Sequence, residues 1–280
     1  MQEVKPSACI LSFSLDLTEI PIMAKPERNN FRYYIAELLI LVLGISLSFI
    51  LNEYRVQKQE EKMEIELLDS FRDNLILDSL ALHLQIKAQE VRAKTTTSLL
   101  NLTPESEYSD SMAYHMVILL NYGGFYPTDI TYQEMRSLGN SHLIQNQEML
   151  NEIIQLYEGD YDLVAEWSTL DKNFMTNQLM PYVYETFPFA RKFSYHLLPP
   201  AKKREMMRVL TTDRTKNMIQ NCELTLLGSS VIFERVLGEV RRIIDMLNSE
   251  LGGESEMGKK ASDELEAAMK AMQDSIKNNQ

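Results

Sequence analysis

The hydrophobic pattern of the chain is dominated by one long apolar stretch, within which residues 38–45 are apolar on every side apart from Gly44. Residues 33–51 read YYIAELLILVLGISLSFIL, in which Glu37 is the one acidic or basic side chain. A helix of these 19 residues spans roughly 28 Å, close to the ~30 Å hydrocarbon core of a bilayer. A core helix of a soluble protein is the alternative, but a half-exposed helix would show a polar face. The pattern therefore predicts a single transmembrane helix at residues 31–52.

The residues on either side of this stretch suit a membrane boundary. Tyr33 and Tyr34 stand at one end, and aromatic side chains are typical of the headgroup level. Basic residues occur on both sides in equal number: Lys25, Arg28 and Arg32 precede the stretch, and Arg55, Lys58 and Lys62 follow it. Arg32 lies closest to an end, which leans towards a cytoplasmic N-terminus.

One face of the predicted span carries small and polar side chains. Glu37, Gly44, Ser48 and Asn52 fall on this face of a helical wheel. Gly44 and Ser48 form a small-xxx-small pattern, which lets two transmembrane helices approach closely. This pattern leaves two readings open: the span packs against a second copy of the chain through this face, or the small residues have no such role, since they are common in spans that do not associate.

Beyond the span, the pattern predicts an uninterrupted helix up to residue 100. No proline occurs between Pro26 and Pro104. A strongly charged stalk follows the span, and apolar residues then recur at helical spacing. The heptad register fails at Asp78 and Gln85, so a helix packed in a bundle is favoured over a dimeric coiled coil.

The rest of the chain also shows helical spacing and no strand-like alternation. Gly139 followed by Asn140 is an ordinary helix stop, and Gly159 is a candidate kink inside the helix predicted from residue 147. The predicted helices cover residues 110–121, 131–138 and 147–184, followed by two or three final helices at roughly 201–210, 213–227 and 230–251. We therefore predict an all-α protein in which residues 53–251 form an irregular multi-helix bundle and residues 252–280 form a linker and a helical tail.

Residues 1–30 carry no secretory signal, because their one short apolar run is broken by polar residues and no cleavage site follows it. Met23 opens a short basic lead into the span and looks like a natural start. We therefore expect residues 1–30 to be poorly ordered. Two starts are open: Met1, or Met23 with residues 1–22 as an upstream over-extension of the reading frame.

Composition narrows the classes of function. The formal net charge of −12 argues against a nucleic-acid partner, which would require clustered Lys and Arg. The four histidines are far apart, and no phosphate-loop, zinc-protease or nucleophile-elbow motif is present. The acidic run from Glu158 to Asp162 lacks the spacing of a calcium loop. We therefore predict no metal, no cofactor and no catalytic residue.

The densest cluster of aromatic and basic residues lies just before Pro199. Such a cluster can stack on a glycan or a lipid headgroup, and the alternative is that its rings cap the end of the bundle. As a candidate binding surface we select Tyr182, Tyr184, Phe189, Arg191, Lys192 and Tyr195.

Two short blocks of the sequence, taken in order, resemble a known pattern. They are Ala36-Glu37-Leu38 with Leu41-Val42-Leu43-Gly44-Ile45, and Ser137-Leu138-Gly139-Asn140 with Ile144-Gln145-Asn146. In this order they resemble a family of uncharacterised, single-span, membrane-anchored helical proteins of Gram-negative bacteria. The resemblance covers most of residues 31–158 and departs from the family at residues 51–54, where an Asn-Asn-Trp-like exit is usual. It implies a cytoplasmic N-terminus and a periplasmic helical domain, and it implies no reaction, because the family has no established activity.

These observations together predict a membrane-tethered interaction or scaffold protein, of bacterial inner-membrane location, that is not an enzyme. The alternative is a ligand-binding or enzymatic helical domain whose site is assembled from distant helices. A deep polar pocket with perturbed carboxylates would favour the alternative, whereas a dry bundle core would favour the tether.

Overall fold

The protein is all-α, as the sequence predicts. A computed structural model describes residues 31–187 and 199–260, together with Asp263 and Ala267 and apart from the side chains of Asp110 and Ala113, and this part of the chain contains no strand. Its helices are α1 (Phe31–Leu100), α2 (Asp110–Leu120), α3 (Ile130–Leu138), α4 (Gln147–Gln155), α5 (Tyr161–Phe174), α6 (Met180–Thr186), α7 (Pro200–Leu210) and α8 (Asp213–Glu250). The predicted N-terminal lead lies outside the described residues.

The chain divides into two units, residues 1–57 and residues 58–280, and the boundary falls within α1. In the described part of the first unit every side chain from Phe31 to Gln57 is exposed. This part contains a helical window that is long and apolar enough to cross a membrane, and none of that window is buried. One long apolar helix near the N-terminus is thus compatible with a membrane anchor.

The second unit buries its apolar residues in two cores. The first core joins α1, α3, α4, α5 and the second half of α8, and includes Leu68, Phe71, Leu75, Leu82, Ile144, Met149, Ile153, Val164, Phe233 and Val240. The second core joins the end of α1 with α2, α6, α7 and the first half of α8, and includes Leu99, Met116, Leu119, Met175, Leu179, Val183, Met206, Leu210, Ile219 and Leu226. Removal of this apolar surface from water supplies the main driving force for folding.

The long helix predicted from residue 147 contains two wide turns. Leu156–Asp160 and Met175–Leu179 are π-helical and connect α4 to α5 and α5 to α6 without a break in the chain's helical course. Gly159 lies in the first wide turn, at the position where the sequence predicts a kink. A π turn adds one residue to the helical repeat, so it changes which side chains face the core beyond it.

The last carbonyl groups of α1 accept hydrogen bonds from a side chain of another helix. The last carbonyls of a helix have no partner within it. Lys216 of α8 donates from Nζ to the carbonyl oxygens of Leu99, Leu100 and Leu102, the first and last at 3.1 and 2.7 Å. A positive charge at a helix C-terminus is also favourable for the helix dipole. This contact fixes the first half of α8 against the end of α1.

The two helices predicted at 213–227 and 230–251 are in fact one helix, α8. Gly228 does not end it. A Cβ at this position would lie 2.5 Å from Cη2 and 2.7 Å from Cζ3 of Trp167, so the glycine makes room for the indole of α5. Of the two or three helices that the sequence leaves open for residues 201–251, the structure has two, because the reason for this glycine is a tertiary contact and not a helix stop.

Substitution of Gly228 by alanine should therefore destabilise the protein, even though alanine favours helix. Overpacking of this kind costs about 1–3 kcal/mol. Gly238, in the same helix, has open space within 4 Å of the point where a Cβ would lie, and Gly238→Ala should stabilise by about 0.5–1 kcal/mol through helix propensity. Urea unfolding followed by the fluorescence of Trp167, the single tryptophan, measures both. Equal effects of the two substitutions would refute the close contact.

Candidate functional site

The polar face of the predicted span is exposed in the structure. Gly44, Ser48 and Asn52 line one shallow groove, which also includes Ile40, Leu41, Ile45 and Phe49, whereas Glu37 lies outside this groove. Nothing lies within 4 Å of a Cβ placed on Gly44. The Ser48 hydroxyl donates to the carbonyl oxygen of Gly44 at 2.9 Å, so it is satisfied within its own helix. The groove is therefore available to a second helix.

The predicted aromatic and basic surface is only partly described. Tyr182 is 6% exposed, its hydroxyl lies 2.7 Å from that of Thr215, and the guanidinium of Arg214 covers its ring. It belongs to the second core and not to a binding surface, because this hydroxyl finds a buried partner. Tyr184 is exposed. Phe189, Arg191, Lys192 and Tyr195 lie outside the described residues, so their part of this surface stays a prediction.

A buried ion pair joins α1 to α5. Nη1 and Nη2 of Arg92 donate to Oδ2 and Oδ1 of Asp171 at 2.6 and 3.0 Å. Nε of Arg92 donates to the carbonyl oxygen of Leu119 at 3.2 Å, which adds α2 to the same centre. On α1 the pair falls between the side chains of the first core and those of the second. The guanidinium and the carboxylate are both buried, so each neutralises the other away from water.

Two sulfur atoms complete the surroundings of this guanidinium. Nη2 of Arg92 donates to Sδ of Met175 at 2.8 Å and to Sγ of Cys222 at 3.2 Å. Burial raises the pKa of the Cys222 thiol to about 11, although the charge of Arg92 acts in the opposite direction. A nucleophilic cysteine needs a lowered pKa. Cys222 is therefore a packed thiol and not a reactive one.

A second buried acid anchors the segment that follows α2. Asp78 is 1% exposed, and its two oxygens accept hydrogen bonds from the backbone N–H of Thr128 and the hydroxyl of Tyr161, both at 2.8 Å. The hydroxyl of Tyr157 donates to the carbonyl oxygen of Thr128 at 3.1 Å. Burial raises the pKa of Asp78, and the hydrogen bond from Thr128 partly opposes this. The carboxyl group thus holds a loop in place.

Asp78 should make stability depend on pH. Because its pKa is higher in the folded state than in the unfolded chain, its contribution is present in full below the unfolded value, about 3.9, and is lost as pH rises through the folded pKa. The free energy of unfolding of the wild type relative to Asp78→Asn should therefore fall as pH rises from about 4. Urea titrations across this range measure it, with Asp162→Asn on the exposed face of α5 as the control. A difference that grew with pH would contradict the burial of this acid.

Asp78 and Gln85 of α1 are visible in the sequence only as polar residues that interrupt the heptad register. In the structure Asp78 accepts hydrogen bonds from Thr128 and Tyr161. Gln85 lines a cleft of about 220 Å3 between α1 and α2. Both positions are therefore polar although they lie on the packed side of the helix. Polar residues at otherwise apolar positions of a helix were the available signal. Arg92 and Gln89, which line the same cleft, were missed altogether.

The acidic run at Glu158 and Asp160 is engaged in ion pairs. Glu158 accepts a hydrogen bond from Tyr132 at 2.7 Å and pairs with Arg136 at 2.5 Å, and Asp160 pairs with Arg235 at 2.9 Å. Within residues 31–187 and 199–260 there is no group of three His, Cys, Asp or Glu side chains placed to hold a metal ion. These carboxylates therefore connect helices to one another.

Comparison of the chain with models of protein families, with curated proteins and with solved structures finds no match. We therefore infer its function from its own residues and their geometry.

Proposed function

We propose that this protein is a membrane-tethered interaction or scaffold protein, held in the bacterial inner membrane by one transmembrane helix at residues 31–52. The proposal rests on the difference in burial between the apolar residues of the two units. The second unit buries its apolar residues in two cores, whereas the apolar residues 33–51 are exposed throughout. An exposed apolar surface of this extent is typical of a membrane or partner contact.

The proposed orientation has a cytoplasmic N-terminus and a periplasmic helical domain. Arg32 next to the first end of the span supports it, because short basic segments are retained on the cytoplasmic side. The resemblance of the two sequence blocks to single-span proteins of Gram-negative bacteria supports the same orientation.

A second copy of the chain is the partner that we propose for the span. The groove along Gly44, Ser48 and Asn52 supports this, since small side chains let helix backbones approach closely in lipid. The net charge of −12 supports protein over nucleic acid as the partner of the helical domain.

The state of the buried acids and of the buried thiol favours a scaffold over an enzyme. Asp78 and Asp171 have their oxygens occupied by hydrogen bonds from the protein itself. Cys222 is held as a thiol by its raised pKa. Catalytic groups, by contrast, are directed into a pocket with a pKa suited to proton transfer or attack.

The proposal is tested by protease treatment of spheroplasts that produce the full chain with a C-terminal epitope tag. If the proposal is correct, the protein stays in the membrane pellet after alkaline carbonate extraction. Protease added outside then destroys the tagged domain while a cytoplasmic marker protein survives. Recovery of the protein in the carbonate supernatant would overturn the span, and a protected tag would overturn the orientation.

A further inference from the structure

The chain turns back onto α1 after the end of α8. Nη1 of Arg72 on α1 donates to the carbonyl oxygen of Gly253 at 2.9 Å. The hydroxyl of Ser255 then accepts a hydrogen bond from the backbone N–H of Gly258 at 2.9 Å, which is the usual cap at the start of a helix. A helix therefore begins here, and it opens the C-terminal segment of residues 256–280, the tail.

One side of the tail faces the helical domain and the other side faces solvent. A Cβ on Gly258 would lie 3.3 Å from Cδ1 of Ile76, so this glycine marks the side that lies on α1. Glu256, Asp263 and Ala267 are helical and exposed, and their spacing places them together on the opposite side. The described residues thus fix which face of the tail is turned inward.

The inward face is also the apolar face of the tail's sequence. Steps of seven, four, three and four residues lead from Gly258 to Leu265, Met269, Met272 and Ile276. On a helix these steps keep all of the side chains within one narrow stripe. The tail therefore has the pattern of an amphipathic helix, and such a helix requires a surface that covers its apolar stripe.

α8 carries an apolar stripe that the described residues leave uncovered. Leu227 and Val231 are 56% and 65% exposed. Gly238 lies on the same stripe, and nothing lies within 4 Å of a Cβ placed on it. Asp245 continues the stripe and lines a cavity of about 480 Å3 beside the first turns of the tail. The stripe thus begins at the described part of the tail and extends beyond it.

The described contacts also fix the direction of the tail. It runs beside α1 in the same direction, because Gly253 contacts Arg72 and Gly258 lies against Ile76. α8 runs in the opposite direction, since its first half lies against the end of α1. Ile244 of α8 lines the cavity together with Ile76 and Gly258, so these three positions are about level with one another.

The two apolar stripes match when residues are counted from this level. Both helices rise about 1.5 Å per residue, so equal numbers of residues cover equal lengths. The positions that come level are Leu265 with Gly238, Met272 with Val231, and Ile276 with Leu227. Opposite charges lie at the near end of this contact, where Asp263 of the tail and Arg241 of α8 line the same cavity.

We propose that the tail is an internal ligand of the helical domain: residues 261–280 pack as a helix along α8 and cover its stripe from Gly238 to Leu227. A second copy of the chain is the alternative occupant. The tail is favoured because it is attached beside the stripe, which gives it a high effective concentration there. This contact goes beyond the proposed tether and does not depend on insertion in a membrane.

Disulfide formation in the full chain, kept in detergent and carrying Cys9→Ser, tests the proposal. Leu227→Cys with Ile276→Cys should form a disulfide within one chain under mild oxidation, read by mass spectrometry of the linked peptides. The matched control is Leu227→Cys with Asp274→Cys, whose second cysteine lies two residues away on the outward side. We expect the control pair to react at least tenfold more slowly.

Two results would overturn the assignment. One is an equal rate for the two cysteine pairs. The other is a disulfide from Ile276→Cys to Leu227→Cys of another chain, because a second copy would then occupy the stripe.

Stability provides an independent measurement. Met272→Asp with Ile276→Asp places two charges on the inward stripe and should lower the urea midpoint of the full chain. Ala267→Asp with Ala271→Asp places the same charges on the tail outside the stripe and should leave the midpoint unchanged. Equal midpoints of the two variants would contradict the packing of the tail on α8.

Discussion

Replacement of Leu41 and Ile45 together by arginine is expected to release the protein from the membrane. Both side chains are exposed and lie near the middle of the apolar stretch, one turn apart. Each arginine at the centre of a transmembrane helix costs about 2.5–3.5 kcal/mol on insertion scales, so the pair costs roughly 5–7 kcal/mol. The measurement is the fraction of the protein that remains in the pellet after alkaline carbonate extraction.

The matched control places the same two charges on the same helix outside the proposed span. Ile65 and Leu84 of α1 are also exposed apolar residues. Ile65→Arg with Leu84→Arg should leave the protein in the pellet, because these positions lie beyond residue 52. If the variant with Leu41→Arg and Ile45→Arg also stayed in the pellet, the apolar stretch would not be the anchor.

Substitution of Asp171 by alanine should cost about 3–5 kcal/mol of the free energy of unfolding. The change leaves the guanidinium of Arg92 buried without its bidentate partner. Most of the expected loss is this uncompensated charge, since a surface ion pair contributes only about 0–1 kcal/mol. Urea unfolding of the full chain in detergent, followed by the fluorescence of Trp167 one turn away, measures it.

The double variant Arg92→Met with Asp171→Leu distinguishes charge from packing. Replacement of a whole buried ion pair by apolar residues of similar volume is often neutral or stabilising. We therefore expect the double variant to recover most of the stability that Asp171→Ala loses. A double variant as unstable as the single one would mean that the hydrogen bond to Leu119 and the geometry of the centre matter more than the charge.

Much of the fold could be predicted because its signals are local. The continuous course of α1 follows from the absence of proline, and the end of α3 follows from Gly139, which adopts a left-handed conformation with φ of 69°. Such a conformation favours glycine, so the sequence itself marks the stop. The continuity of α8 through Gly228 could not be predicted, because the indole that requires this glycine lies on α5.

The buried polar contacts of Asp78 and of Arg92 with Asp171 could not be predicted from the sequence, because their partners lie far away along the chain. Asp78 is 50 residues from Thr128 and 83 residues from Tyr161, so nothing local pairs them. Arg92 and Asp171 are separated by 79 residues. The sequence predicts Tyr182 at a binding surface, whereas in the structure it is buried. Its hydroxyl pairs with that of Thr215 on α8, and this partner cannot be identified from the sequence.

The two wide turns of the helix from residue 147 to residue 186 have a consequence for how the chain varies in length. Each of Leu156–Asp160 and Met175–Leu179 holds one residue more than a regular helix needs. Loss of one residue there lets the hydrogen-bond ladder close in the regular pattern while the flanking side chains keep their faces on the core. Related sequences that are one residue shorter in either segment should therefore be aligned with the gap in the wide turn, and they should fold alike.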